Sequence, residues 1–495
     1  MTVATAALTA CASMDGLHAD GRAADPAALH AERKFARIAT SPAAWPKSDW
    51  WTALGDTQLD ALIAEALKDN PDLASADARA KQAQSQVDAQ NAKRLPTVNA
   101  SASIAGVHLP TTAAPEPIGG SFATYPAVYA SFNWSLDLWG GKRAAWEAAL
   151  GQVRAAEVDA HAARLTLSVN VARAYVQLGY AFAEKDVADA QLKRANASHA
   201  LVRQRVAAGI DNRMQIKQAE AEVASAEQQV AVASEAIDSA RIALAVLLGK
   251  GPDRGLDIAR PKTLRPGALA LPTGLTADLI GRRADLVAAR WRVEAATKSI
   301  AAVKTEFLPN IGLSAFAGLA SSSFDNLVSL PARFYMVQPA ISLPIFDGGR
   351  RRADLNDANA NYDLAVAHYN STLVGAINDV ADDIANLDSL QVQIAAQQRA
   401  VDAARAAFDL SRQRYKAGIG SYLDTLSVEQ QLLAAEQRAA ALAAQQVDTS
   451  VRLVQGLGGG FDAGGDVPPI AAIDPQSTTP PAQRKPGSRS STITQ

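Results

Sequence analysis

The residue types that could perform catalysis or bind a metal do not cluster in this 495-residue chain. A metal site needs ligands at short, repeated spacings, and the six histidines show none: His18, His30, His108, His161, His199 and His368. A phosphate-binding loop needs a helix directly after its glycines, but no helical pattern follows the glycine-rich segment 456–460. The sequence therefore predicts no enzyme, no cofactor and no metal site.

The single cysteine, Cys11, cannot form a disulfide bond within the chain, but it could carry a lipid. The stretch MTVATAALTAC places small and apolar residues before the cysteine and resembles the end of a bacterial lipoprotein signal. It lacks the charged leader and the full apolar core of such a signal. We expect Cys11 to be the lipidation site, with an incidental cysteine in a flexible N-terminus as the alternative.

Two turns in the chain combine cations with a glycine. The first lies in RVAAGI, residues 205–210, and the second in RYKAGIGSYLDTLS, residues 414–427. Cations before a glycine are the ordinary pattern of a capped helix C-terminus. Asp424 then begins a new helical pattern, where the helix dipole favours an acid whatever its function. The residues alone leave capping and a functional role both open.

These turns belong to two copies of one unit. Residues 70–103 match residues 283–316 at a constant offset of 213, and the two turns match at an offset of 209. A duplication of about 180 residues per copy explains both matches.

Each copy predicts the same order of elements. A helix of about 28 residues ends at Pro96 or Pro309, because proline is not tolerated inside a helix. Two strands with alternating apolar and polar residues follow. The second strand ends at a glycine pair that lets the chain turn into a helix; these junction residues are Gly140 and Gly141, and Gly348 and Gly349.

The strand at 131–138 has no obvious partner nearby in the sequence. We expect it to pair between repeats and between chains. Its alternation predicts one face toward lipid and the other toward an aqueous lumen. The lumen face would include Asn133 and Asp137, and the lipid face Phe132, Trp134, Leu136 and Leu138. Trp134 and Trp139 are typical of the aromatic belt at a membrane interface, with ordinary packing as the alternative.

About 67 proline-free residues follow each glycine pair, enough for a helix of roughly 100 Å. Apolar residues repeat there in steps of three and four, as in a coiled coil. A second helix returns at 212–248 and at 421–456, so each copy forms a helical hairpin.

Four membrane strands cannot close a barrel, and an open sheet edge in lipid leaves backbone groups unsatisfied. The strands must therefore be pooled between chains. Two chains would give eight strands and hardly any lumen, so a trimer with twelve strands is favoured. The net charge of −2 gives no electrostatic reason to expect a nucleic-acid partner. The sequence contains no run of 18 apolar residues, so it does not predict a membrane-spanning helix.

Several separate motifs resemble the TolC/NodT-type outer membrane efflux proteins, over about residues 45–460. They are WWTALGDTQLDALIAEALKDNPDL (50–73), DLWGGKR, LPIFDGGRRRADL and the second-repeat opening GLTADLIGRRADLVAARWRVEAATKSIAAVKTEFLPNIGL. The resemblance implies a homotrimer whose 12-stranded outer-membrane β-barrel continues as a periplasmic coiled-coil α-barrel. It further implies an exit duct of a tripartite drug-efflux system in a Gram-negative cell, working with an inner-membrane pump and a periplasmic adaptor. The lipoprotein-like Cys11 fits a lipid-anchored, palmitate-bearing branch of the family in the outer membrane.

The same resemblance assigns roles at the two turns. Asp424 would form an acidic ring at the pore constriction, while Tyr415 and Arg414 resemble residues that tie neighbouring helices shut. The family's second pore acid is replaced by Ser427, and the first-copy counterpart of Asp424 is Gln215. Both turns would dock the adaptor, through Arg205, Gly209, Arg414 and Gly418.

The expected organisation is two repeats, 45–249 and 278–460, joined by an equatorial linker at 250–277. A lipidated N-terminal segment at 1–44 would precede them, and a disordered tail at 461–495 would follow. A duct for protein secretion of type I is the alternative function on the same fold. A purely periplasmic coiled-coil adaptor is disfavoured because it predicts neither alternating strands nor a duplication.

Overall fold

The computed structural model describes residues 13–29, 45–113, 115–116, 119–266, 279 and 281–464. Cys11 lies outside the described residues, as do most of the predicted tail and part of the predicted linker.

Helices account for most of the described chain, and their order repeats. The first half contains α1 (Thr57–Asp69), α2 (Pro71–Ala92), α3 (Gly141–Ala207), α4 (Arg213–Leu247) and the short α5 (Asp253–Leu256). The second half contains α6 (Ala284–Lys304), α7 (Arg350–Lys416) and α8 (Tyr422–Gly456). Both α3 and α7 have 67 residues, which confirms the predicted long helices. Among the described helices, none combines the length and the apolar character needed to cross a membrane.

The helices ahead of the strands are shorter than the predicted 28 residues. The helix α2 has 22 residues and α6 has 21. Asn70 adopts an extended backbone before Pro71, and its side chain caps α2 by accepting from the backbone N–H of Asp72. Because the residue before a proline disfavours helical geometry, the preceding turn belongs to the separate helix α1.

The four strands form one antiparallel sheet in the order β1 (Thr97–His108), β2 (Phe122–Leu136), β3 (Asn310–Ala320) and β4 (Arg333–Ser342). The register aligns residues of like polarity. Trp134 faces Leu313, and Ile311 faces Ile341, whereas Asn133 faces Ser314. Since opposed residues share a face of the sheet, one face is apolar and the other carries serine and asparagine. The predicted alternation is therefore confirmed.

The pairing of the strand at 131–138 differs from the prediction. It is the C-terminal part of β2, which ends at Leu136 and pairs within its own repeat with β1 across residues 109–121. On its other side β2 pairs with β3, so pairing between repeats does occur. The edges of the described sheet are β1 and β4, and pairing between chains falls to these two strands.

Asp137 lies just beyond the end of β2 and has a capping role that the sequence did not predict. Its carboxylate accepts hydrogen bonds from the backbone N–H groups of Lys142 (3.0 Å) and Arg143 (2.8 Å). These groups lie in the first turn of α3, where backbone N–H groups have no partner within the helix. Asp137 therefore caps the long helix at the end of the sheet.

Three clusters of buried side chains hold the helices together. The first joins α1, α3 and α4 around Ile63, Tyr175 and Leu244. The second joins α6 to α7 around Leu286 and Leu373. The third is small and lies at the ends of the two hairpins; its buried members are Val202, Ala219, Tyr415 and Tyr422.

Gly458 provides a test of the packing where the second hairpin ends. Its φ of +90° is left-handed, and a β-carbon there would overlap the carbonyl oxygen of Arg282. We expect Gly458→Ala to destabilise the protein by roughly 1–3 kcal/mol, measured as a lower midpoint of thermal unfolding by circular dichroism in detergent. Gly375→Ala is the control, because Gly375 lies within α7 with open space around it. Equal midpoints for the two variants would contradict the packing.

Candidate functional site at the hairpin tips

The two hairpins end in turns of the same design. Gly209 and Gly418 adopt left-handed φ values of +71° and +81°. The N–H of Ile210 donates to the carbonyl of Arg205, and that of Ile419 donates to the carbonyl of Arg414 (2.9 and 3.0 Å). This bond across five residues is the Schellman ending of a helix, which requires the left-handed residue that glycine supplies. The duplication therefore preserves the backbone of both tips.

The returning helices also begin alike. Asn212 and Gln215 form a capping box at the start of α4, and Ser421 and Asp424 form one at the start of α8. The carboxylate of Asp424 accepts from the backbone N–H of Ser421 (3.3 Å), whose hydroxyl accepts from the N–H of Asp424 (3.1 Å). Asp424 is thus the counterpart of Gln215, and each contributes to capping its helix.

Asp424 is exposed and ionises easily. The hydrogen bonds from Ser421 and the charge of Arg414 hold the pKa of its carboxyl below the ordinary value. A single chain thus places a solvated negative charge at the tip, together with the exposed cation Arg414.

The two tips are joined by a cluster that we call the tip clamp, formed by Arg205, Asp211 and Tyr415. The guanidinium of Arg205 donates from Nε to Asp211 Oδ2 (2.8 Å) and from Nη1 to the backbone carbonyl of Tyr415 (2.9 Å). The hydroxyl of Tyr415 donates to the same carboxylate oxygen of Asp211. The guanidinium also lies over the Tyr415 ring, 4.5 Å from its centroid. Side chains from both repeats therefore share one buried ion pair.

The tip clamp is largely shielded from solvent, so its members depend on one another. The side chains of Arg205 and Asp211 are 11% and 10% exposed, and Tyr415 is 2% exposed. The hydrogen bonds from Arg205 and then Tyr415 hold the pKa of Asp211 below its ordinary value, while burial and Asp211 raise the pKa of Tyr415. Removing one member of such a cluster leaves a buried polar group without its partner, which is costly.

The structure brings together only some of the predicted tip residues. Tyr415 and Arg205 meet, whereas Arg414 is exposed and lies outside the tip clamp. Arg205 is occupied within the chain and does not offer its charge at the surface. Sequence reasoning missed Asp211. A sequence signal for it existed, because the corresponding residue of the second repeat, 209 residues later, is Gly420. The two tips therefore differ in chemistry at this position.

A second polar cluster, the carboxyl network, lies further along the hairpins. Gln191 of α3 donates from Nε2 to Glu222 of α4 (2.8 Å) and to Glu429 of α8 (3.1 Å). Arg194 of α3 donates to the carbonyl oxygen of the Gln191 side chain (3.0 and 3.1 Å) and to Glu436 (3.0 Å). Glu436 also accepts from Arg405 of α7 (2.9 Å). All four helices of the two hairpins thus contribute to the network.

The outermost surface of both tips is apolar. Large side chains on the turns and the first turns of α4 and α8 are more than 60% exposed: Ile210, Met214, Ile419 and Leu423. Their burial against another surface would be favourable.

At the opposite end of the helices, glycines mark the junction with the sheet. Gly140, Gly348 and Gly349 have left-handed φ values, while Gly141 begins α3 and has no room for a β-carbon beside Thr305. The indole N–H groups of the nearby tryptophans bond to backbone carbonyls, Trp134 to Arg94 (3.1 Å) and Trp139 to Pro309 (2.7 Å). Within the described residues, no three side chains are arranged to hold a metal ion.

Comparison with known proteins gives a consistent match. A family model described as outer membrane efflux protein matches residues 62–250 and 275–459. The fusaric acid resistance protein FusA of Burkholderia cepacia is 37% identical over 357 residues, covering 71% of this chain and 67% of FusA. The multidrug resistance outer membrane protein MdtP of Escherichia coli K12 is 30% identical over 429 residues, covering 85% of this chain and 88% of MdtP.

A solved structure agrees with the sequence comparisons. The outer membrane protein VceC of Vibrio cholerae superposes with a TM-score of 0.79 at 34% identity, covering 84% of this chain and all of VceC.

The tip clamp predicts which change should loosen the tips. Asp211→Asn removes the charge that Arg205 and Tyr415 share, so we expect faster hydrogen–deuterium exchange in residues 205–215 and 412–424, by tenfold or more, which corresponds to about 1.4 kcal/mol of local stability. Asp409→Asn is the matched control, because Asp409 is exposed on α7 close to the same tip. Equal exchange in both variants would show that the tip clamp does not hold the tips.

Proposed function

This chain belongs to the outer membrane efflux protein family, and from that membership we propose how its duct closes and where it meets its partners. The protein is an outer-membrane efflux channel that extends into the periplasm. Three copies pool their strands into a 12-stranded barrel, and their long helices continue it as a tube. The observation that carries this function is the pairing of a four-stranded sheet, apolar on one face, with two 67-residue helices.

The names of the relatives indicate the class of cargo. FusA is a fusaric acid resistance protein, and MdtP is a multidrug resistance protein. We propose that this channel likewise carries small toxic compounds out of the cell. No chemical step is required of the duct, because its family and fold are those of channel proteins.

We propose that the tip clamp keeps the duct closed at its periplasmic end. Each chain contributes two hairpins, and the tip clamp holds the two tips of one chain against each other. Three such pairs around the axis would narrow the entrance. Asp424 would line that entrance, where three carboxylates attract cations as acidic rings do in other channels.

The adaptor of the efflux system would dock on the apolar surface of the tips. Four exposed apolar side chains there support this proposal, together with Gly209, Gly418 and the exposed Arg414. Arg205 is better assigned to closure than to docking, because its guanidinium is already paired. The inner-membrane pump would supply the energy.

The contacts of Ser13 and Asp15 support the proposed lipid anchor. Arg352, in the first turn of α7, donates to the backbone carbonyls of Ser13 and Asp15. The described chain therefore begins where the long helix meets the sheet. We propose that Cys11, which precedes these residues in the sequence, carries a lipid that helps to anchor the barrel in the outer membrane.

The duct function can be tested on the full chain. We expect the purified protein to be a trimer in detergent and to open cation-selective channels in planar bilayers. Expression in a strain that lacks its own outer-membrane efflux component, with a compatible pump and adaptor, should raise resistance to small toxic compounds. A monomer that forms no channel would contradict the duct. Restored protein secretion without drug resistance would favour the secretion alternative.

The proposed constriction makes a separate prediction. Asp424→Ala should raise single-channel conductance and weaken block by divalent cations, because it removes three charges from the entrance. Asp424→Asn should have the same effect on divalent block while keeping an oxygen that accepts from the N–H of Ser421. If only the alanine variant changes the currents, the effect comes from the lost helix cap, and Asp424 does not line the pore.

A further inference from the structure

Glu429 has an environment that neither channel lining nor helix capping explains. It is 1% exposed between the helices near the tip of the hairpins, seven residues after the first residue of α8. At 1.5 Å per residue this is about 10 Å from the tip. An acid at such a position is either paired with a cation or protonated, because a lone buried charge is very costly.

The partners of Glu429 do not neutralise it. Its carboxylate accepts from the amide of Gln191, and that same amide donates to the carboxylate of Glu222. Glu222 accepts in addition from Gln430 (2.9 Å). One neutral amide thus holds two acids that belong to different repeats.

The charged neighbours on the packed helices act on Glu429 in opposite directions, and the cation that attracts it is hydrogen-bonded elsewhere. From α3, the positive charge of Arg194 attracts Glu429, but Arg194 donates its hydrogen bonds to Gln191 and Glu436. From α7, Arg405 enters the network through Glu436. From α4, Glu222 repels Glu429. On α8 itself, Tyr422 is a buried neutral group.

We propose that Glu429 and Glu222 form a proton-controlled lock, which holds the two hairpins of a chain together when the pair carries a proton and releases them when it does not. The protonated pair has one charge, which Gln191 and Gln430 can solvate. The fully ionised pair places two like charges close together, one on the buried Glu429 and one on the half-buried Glu222, and the two repeats can relieve that repulsion by separating.

The lock connects directly to the tip clamp. Tyr422 lies two helical turns from Glu429 on α8, and its ring contacts that of Tyr415 with 5.7 Å between centroids. Tyr415 in turn donates to Asp211. Separation of the hairpins at Glu429 would therefore disrupt the contacts of the tip clamp and open the duct. This step rests on the proposed role of the tip clamp in closure.

The direction of the pH response follows from linkage. Burial, and then the repulsion from Glu222, raises the pKa of Glu429 from 4.5 to about 7 in the closed form. A carboxyl that reaches water on opening returns toward its ordinary value. The closed form is therefore favoured fully below about pH 4.5 and loses this advantage as the pH rises through about 7.

The test compares open probability in planar bilayers at pH 5.5 and pH 8.0. We expect the native trimer to be open at least about ten times more often at pH 8.0, because the two forms differ by more than one pKa unit. Glu429→Gln should stay at the low acid-pH level at both values, since the amide cannot ionise. Glu222→Gln should weaken the response, because it removes the repelling charge.

Two control variants change other side chains on the same hairpin. Glu227→Gln removes an exposed acid from α4, and His199→Gln removes a histidine that lies near Glu220 on the same hairpin. Both should keep the full response. Asp211 and Asp424 are ionised throughout this range because their pKa values lie below the ordinary one.

The outcomes distinguish the lock from the duct. A native protein that conducts equally at both pH values, or a Glu429→Gln trimer that keeps the response, would overturn the lock and leave the duct intact. A native protein that conducts at neither pH would contradict the duct itself. Size-exclusion chromatography of each variant confirms that a trimer is being measured.

Discussion

The organisation of this protein depends on one constraint: backbone groups at the edge of a sheet cannot remain unpaired in lipid. Each chain supplies four strands in sequence order, so its sheet has two edges, β1 and β4. Only copies of the same chain can close it into a barrel. The trimer in turn places six hairpins around one axis, and the long helices can then form the tube that continues the barrel. Assembly is therefore a condition for the duct, and the pore exists only between chains.

Because the hairpins are long, the tips at which we propose that the duct closes lie far from the membrane. Helices of 67 residues place the tips about 100 Å from the sheet, where water surrounds them and the hydrophobic effect of the barrel has no influence. The tips must therefore be held by local contacts. The structure uses a small buried cluster, Tyr415 against Tyr422, together with the ion pair of Arg205 and Asp211.

The features that the sequence predicted well are those that depend on neighbouring residues. Strand faces follow from alternation, and the bounds of α3 and α7 follow from a glycine pair and a long run without proline. The sequence shows that the two repeats differ at Asp211, but it does not show that Asp211 bonds to Tyr415, which is 204 residues away. Arg205 was predicted either to cap its helix or to dock the adaptor, because its sequence neighbours fit both roles. The pairing of β2 with β1 was missed because residues 109–121 separate them. Non-local contacts of this kind require the fold itself.

Differences between the two repeats matter more for function than their similarities. Both tips share the same backbone, with Gly209 matching Gly418, so the duplication fixes the shape of the tube. Yet Asp211 stands where the second repeat has Gly420, and Gln215 stands where it has Asp424. A clamp between two identical tips would need each tip to supply both the carboxylate and the tyrosine. Because the repeats have diverged, one tip supplies Arg205 and Asp211 and the other supplies Tyr415, and only the second keeps an exposed acid. In the closure proposed above, the loss of sequence symmetry at the tips would let a symmetric tube hold itself closed at one end.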